Sequence, residues 1–293
     1  MLTKGKYPYS EAIPDELKER FMNWAYVFVE TLNSRNPRHN FDVLWNSANK
    51  LQVELNNLPE YKTIVKSISK ETIKIYVISG MFDKAGKLKE DQNYKEAVLF
   101  YQRILELDDK NVRAFMGISQ CYFYLHLYAK AIENLNIVLY IRPDYPGAYC
   151  NLSLCYCETN HPEKAKEFAE KALSLQPSDP DYLSLVGCIN HEIGNYDQAL
   201  DNFKKALKIT PDDEDIYRNI ALVYHDCQQD ELIAELYMKA LIRKPELVKC
   251  FWEEDLILDL DITTELKYDL LTFGAEYGDK KARQCLDDKT WLE

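Results

Sequence analysis

From residue 112 to residue 245 the apolar and polar positions recur every 34 residues, and nothing else in the chain is as regular. Ala131, Ala165 and Ala199 fall in step, with Ala97 one period earlier, and so do Pro143, Pro177, Pro211 and Pro245. The periods are counted from Ile78, Val112, Pro146, Pro180 and Glu214. Most open with an apolar stripe at helical spacing: Phe115, Ile118 and Tyr122; Tyr149, Leu152 and Tyr156; Tyr217, Ile220 and Tyr224. Such a stripe buries one face of a helix. One position on it stays small (Ser119, Ser153, Gly187, Ala221), which lets a second helix approach closely. That second helix carries Ala131, Ala165 and Ala199 near its start and Ala172, Ala206 and Ala240 nearer its end. Self-similarity of this length predicts stacked helical hairpins, each with a face that only its neighbour can cover.

The punctuation agrees with this pattern. Gly194-Asn195 marks a hairpin turn. Pro143-Asp144, Pro177-Ser178 and Pro211-Asp212 stop one repeat and offer Asp144, Ser178 and Asp212 as N-caps of the next. Three positions depart from the period: Asp109 stands where the other repeats have Pro, Asn190 where they have Tyr, and Ile233 where they have Ala. The last predicts looser packing in the fifth repeat.

The stretch from Pro180 to Asp213 holds Gly187, Gly194, Tyr196, Ala199, Phe203, Ala206 and Pro211 in one register. In these residues it resembles the tetratricopeptide repeat. The resemblance implies an all-α fold, a right-handed superhelical solenoid of stacked antiparallel helix pairs, with helical N- and C-terminal extensions. It divides the chain into a helical N-terminal segment (1–77), for which degenerate repeats are the alternative, five repeats (78–111, 112–145, 146–179, 180–213 and 214–245) and C-terminal capping helices (246–293).

In the N-terminal segment, residues 14–33 carry Leu17, Phe21, Trp24, Ala25, Phe28 and Leu32 at helical spacing. A turn follows at 33–40, then a second helix at 41–57 with Phe41, Leu44, Trp45, Leu51 and Leu55, and Pro59 opens a third. Beyond Pro245, residues 246–260, 263–277 and 280–286 read as capping helices, and Ala275 to Ala282 resembles a Sel-type repeat turn. The charged Trp252-Glu253-Glu254-Asp255 stretch suits the polar cover that a solenoid end requires.

The chain has 36 Lys and Arg against 48 Asp and Glu. That acidic balance argues against nucleic acid as a partner, since phosphate binding rests on clustered cations. No stretch reaches the ~18 apolar residues that cross a bilayer, and the first residues are too polar for a secretory leader. No membrane insertion is expected. Cys121 and Cys155 share a repeat position beside the apolar stripe and read as reduced core residues, which suits a cytoplasmic location.

No catalytic motif is present: there is no phosphate loop, no His-Glu-x-x-His helix and no Gly-x-Ser-x-Gly elbow. Cys155-Tyr156-Cys157 lacks redox or zinc spacing. Cys157, His191 and His225 share one repeat position, with Cys188 and Glu192 nearby. Helices pack about 8–10 Å apart, so equivalent side chains on successive helices cannot close on one ion. Neither an enzyme activity, a metal nor a cofactor is expected.

In the family, first helices line a concave channel that holds a segment of a partner protein. By position, the lining here comprises Met116, Gln120, Phe123, Tyr124, Cys150, Asn151, Leu154, Cys157, Leu185, Cys188, His191, Arg218, Asn219, Leu222 and His225. Its middle is soft and apolar, and Asn151 and Asn219 supply amides that both donate and accept. The carboxylate clamp of chaperone-tail-binding members is absent. Its positions fall on Phe82, Gly86, Gly117, Gly147 and Asn151, or one repeat later on Met116, Gln120, Asn151, Asp181 and Leu185, and only Asn151 fits. The resemblance therefore implies a scaffold or chaperone-like adaptor for a protein or peptide ligand. The alternative is a structural assembly or regulatory subunit whose groove is filled by its own terminal helices.

Overall fold

A computed structural model describes residues 70–253 and 256–289, together with the isolated helical positions 42, 43, 46 and 50. The helix expected at 14–33, the turn after it and the helix opened by Pro59 lie outside the described residues, as do Glu254 and Asp255. Every regular element among the described residues is helical. The chain divides into two compact units, residues 1–143 and 144–293.

The first unit contains α1 (Lys70–Glu90), α2 (Tyr94–Leu107), α3 (Val112–Tyr124) and α4 (Tyr128–Ile141). Helix α1 begins well ahead of Ile78, so its hairpin has a longer first arm than the others. Val77, Met81 and Ala85 of α1, Ala97, Tyr101 and Ile104 of α2, and Ala114, Ile118 and Cys121 of α3 form one core. The Tyr101 ring lies over Gly117, where a Cβ would come within 2.4 Å of it.

The second unit opens with three hairpins: α5 (Pro146–Glu158) with α6 (Pro162–Leu175), α7 (Pro180–Glu192) with α8 (Tyr196–Ile209), and α9 (Glu214–Asp226) with α10 (Asp230–Arg243). First helices from α3 onward start at Val112, Pro146, Pro180 and Glu214, and second helices at Tyr94, Tyr128, Pro162, Tyr196 and Asp230, all in the 34-residue step. The small position works as expected. Gly187 admits the Phe203 ring, which a Cβ would meet at 2.6 Å, and Ser153 donates its hydroxyl across the hairpin to the Ala165 carbonyl at 2.7 Å. Ile233 is fully buried, and α9 and α10 meet along much less of their length than the paired helices of the other repeats, in line with the looser packing the larger residue predicts. Asn190 is buried too and returns its amide to the Val186 carbonyl at 2.9 Å.

Each first helix ends in the same way. A residue in left-handed conformation follows at Gln92, His126, Asn160, Gly194 and Gln228, one period apart. The next N–H reaches back to the helix, as from Leu127 to the Tyr122 carbonyl at 2.8 Å and from Asn195 to that of Asn190 at 2.7 Å. This is a Schellman closure. Only one of the five turns uses glycine, which is why only Gly194 was visible as punctuation.

The N-caps lie one residue later than the sequence suggested. Asn111, Asp179 and Asp213 cap their helices, accepting from Ala114 N at 3.0 Å, from Asp181 N and Tyr182 N, and from Asp215 N at 3.0 Å; Tyr145 occupies the fourth such position without a side-chain cap. These residues have the extended backbone that turns a side chain back onto the first helical amides. Asp144 and Ser178 fall outside that position, and Asp212 pairs with Arg243 instead.

After α10 a short 3-10 turn (Pro245–Val248) leads into α11 (Lys249–Glu253), α12 (Leu256–Asp259), α13 (Thr264–Glu276) and α14 (Lys280–Asp288). Helices α13 and α14 form a further hairpin, with Gly278 in the left-handed position and Asp279 N–H bonded to the Gly274 carbonyl at 2.9 Å. Trp252 itself is no part of a polar cover: Phe251 and Trp252 are buried in the unit's core. The indole docks on Asp279 and so belongs to the interior rather than to the end surface.

Candidate functional site

In the second unit the first helices α5, α7 and α9 touch in succession. The inner positions of each helix face away from the hairpin partner. Cys150, Asn151, Leu154 and Cys157 of α5, Leu185 and His191 of α7, and Arg218, Asn219 and Leu222 of α9 are partly exposed, and Cys188 and His225 are exposed. Leu185 and Cys157 rest their inner edges on one core cluster and Leu222 on another, so they present a shallow apolar surface rather than free side chains.

Polar bonds tie α7 to α9 across this face. Asn219 Nδ2 points to Cys188 Sγ at 3.6 Å, and His191 Nε2 meets Asp226 Oδ2 at 2.6 Å. Arg218 is held by Asp215 of its own helix at 2.6 Å, and His225 Nδ1 lies 3.6 Å from Asp230. Asn151 Nδ2 is buried and has no hydrogen-bond partner among the described residues. His191 and His225 thus each face a different carboxylate, and among the described residues no three His, Cys, Asp or Glu side chains gather as metal ligands would.

Three thiols report on the electrostatics. Cys150, Cys157 and Cys188 are all pushed up to about 11 by burial first and by carboxylates second. Cys188 is open to solvent, yet the protein around it desolvates its thiol. The carboxylates acting on the thiols are Asp179 and Asp181 for Cys150, Glu192 and Glu158 for Cys157, and Asp215 and Glu192 for Cys188. These acidic neighbours were not among the lining residues expected from the sequence. Their signal was there, since Glu158, Glu192 and Asp226 occupy one repeat position and Asp181 and Asp215 another.

The other four expected residues lie in the first unit. Gln120 accepts from Lys89 Nζ at 2.7 Å and Met116 is partly exposed. Tyr124 stacks on Tyr94 with ring centroids 5.0 Å apart, and Phe123 meets Tyr128 edge-on at 5.5 Å. Phe123 and Tyr124 are therefore part of an aromatic cluster at the hairpin turns, with Tyr124 still half exposed.

These elements define an all-α helical-repeat protein. A family description for the tetratricopeptide repeat matches residues 125–187, and a second, for the TPR repeat, matches residues 187–226. Residues 125–226 thus match the tetratricopeptide repeat. No curated protein matches it in sequence. Among solved structures, MamA shares 21% identity, covering 56% of this chain and 96% of its own, with a TM-score of 0.50. TTC0263 from Thermus thermophilus, described as a thermophilic TPR protein, shares 20% over 61% of this chain and 97% of its own, with a TM-score of 0.51. MamA from Desulfovibrio magneticus RS-1 shares 13% over 56% of this chain and 92% of its own, at 0.50. At these identities the likeness is one of fold. Among the described residues no helix is long and apolar enough to cross a membrane.

Proposed function

We propose that the protein is an interaction scaffold that holds a segment of a partner polypeptide against the first-helix face of its second unit. The observation carrying this reading is the row Leu154, Leu185 and Leu222, partly exposed on three successive helices whose opposite faces are fully packed. Side chains left half covered on a rigid face, with amides at Asn151 and Asn219 beside them, suit a peptide that brings both apolar side chains and an unpaired backbone. Cysteine thiols along the row add polarizable surface that repacks around different partners. Eight cysteines outside any disulfide suit a reducing compartment such as the cytoplasm. The same row serves adaptor and chaperone-like roles, which differ in the partner and not in the face.

The test is a random peptide library panned on the full chain. Retained peptides should be lost on a Leu154→Arg variant whose far-UV circular dichroism overlays the parent. Equal retention by parent and variant would remove the reading.

A further inference from the structure

We infer that the partner segment is basic: a peptide whose apolar side chains sit on the Leu154–Leu185–Leu222 row while Lys or Arg side chains reach acidic residues on either side. This rests on the binding face proposed above and specifies what it accepts.

The argument is one of charge complementarity along a repeat. Glu158, Glu192 and Asp226 close the inner faces of α5, α7 and α9 at one register position. Asp181 and Asp215 open those of α7 and α9 at another. At ~1.5 Å per residue the two acidic rows stand about 16 Å apart along the helices, with the leucines and thiols between them. Two long basic side chains leaving one backbone on opposite sides bridge such a gap, and their aliphatic stems cover the apolar floor on the way.

Acidic side chains at a solvated surface are common, so their orientation matters. Here the carboxylates act on the thiols of the row itself: Glu192 on both Cys157 and Cys188, Glu158 on Cys157, Asp215 on Cys188, and Asp181 on Cys150. Their field therefore falls across the face where a partner would lie. Arg218 is the only Lys or Arg at these inner positions, and Asp215 already holds it. His191 is likewise held by Asp226. The uneven balance disfavours an acidic segment and favours a cationic one.

The composition of the retained library peptides decides the matter. Those that depend on Leu154 should be enriched in Lys and Arg alternating with apolar residues. A synthetic peptide of the enriched sequence, followed by fluorescence anisotropy, should weaken at least about tenfold between low and high salt, as exposed charge pairs are screened. Glu158→Lys with Glu192→Lys should abolish its binding without changing the melting temperature by more than a few degrees. The milder Glu158→Gln with Glu192→Gln should weaken it about tenfold, so an unfolded reversal variant leaves the question answerable. Leu154-dependent peptides that are neutral or acidic, or binding indifferent to salt and to both variants, overturn the basic-partner inference while the binding face stands. If no peptide depends on Leu154, both fall.

Discussion

Tyr237 on α10 donates its hydroxyl to Asp279 Oδ2, 42 residues further along the chain, at 2.5 Å. The same oxygen accepts the Trp252 indole N–H at 2.8 Å, while Oδ1 caps α14 by accepting from Lys281 N and Ala282 N. A single buried carboxylate thus satisfies four donors and joins the terminal hairpin to the fifth repeat. Gly274 leaves the room for it, since a Cβ there would lie 2.3 Å from the Tyr237 hydroxyl.

Asp279→Ala strands two buried donors and removes a cap. Each orphaned donor costs about 1–3 kcal/mol and the cap about 1, so a loss of at least ~3 kcal/mol is expected. Urea unfolding should show it, and limited proteolysis should open the chain between α11 and α13 first. Tyr237→Phe, which removes only one partner, should cost about 1 kcal/mol. A carboxylate variant as stable as the parent would contradict the pin.

Gly187 and Phe203 form a close-packed pair, so Gly187→Ala overpacks the fourth hairpin. The expected cost is about 1–3 kcal/mol, read as a fall in thermal midpoint. Adding Phe203→Leu should recover part of it, because the two residues share one contact and their effects are coupled. Strict additivity in a double-mutant cycle would show that the ring and the glycine do not meet.

The turn residues give a prediction of opposite sign at two equivalent sites. Gln228 holds a left-handed backbone without glycine's freedom, whereas Gly194 has that freedom. Left-handed backbone costs a side-chain-bearing residue about 1–2 kcal/mol, partly offset by the extra entropy glycine loses on folding. Gln228→Gly should therefore raise stability by up to about 1 kcal/mol and Gly194→Ala should lower it by a similar amount. Denaturant midpoints of the two variants on opposite sides of the parent would bear this out; both on the same side would not.

Alkaline pH should weaken the fold through its thiols. Cys121, Cys150, Cys155, Cys157 and Cys188 are raised from 9.0 to about 11 in the folded chain, chiefly by burial. In this interval the unfolded chain has released thiol protons that the folded chain still binds, so stability falls as pH rises. The contribution is intact below about 9 and lost as pH passes about 11. Tyr237, held protonated by burial and then by its bond to Asp279, shifts in the same direction at higher pH. Urea midpoints in a phosphine reductant at neutral pH and near pH 10.5 should differ accordingly. Cys121→Ala with Cys155→Ala should flatten the slope, and an unchanged slope would exclude these thiols as its source.

The helices of residues 112–243 were legible because a helix is a local object. Its buried stripe recurs at a spacing the chain itself displays, and the 34-residue step then places each hairpin turn. Small residues were legible for the same reason: Ser153 and Gly187 occupy one register position, and each admits its own hairpin partner. The caps slipped by one residue because proline draws the eye to the end of a repeat, whereas capping depends on backbone angles at Asp179 and Asp213 that composition does not display.

The sequence by itself determined the element type and the register that puts Leu154, Cys188 and Leu222 at equivalent positions. Tertiary structure alone decided that Trp252 turns inward, that Asp279 gathers Tyr237 and Trp252 from 42 and 27 residues away, and that Asp226 meets His191 from the next repeat. Periodicity records which faces must be buried. It does not record which side chains meet across them, because that depends on rotamers and on the angle at which the helices cross.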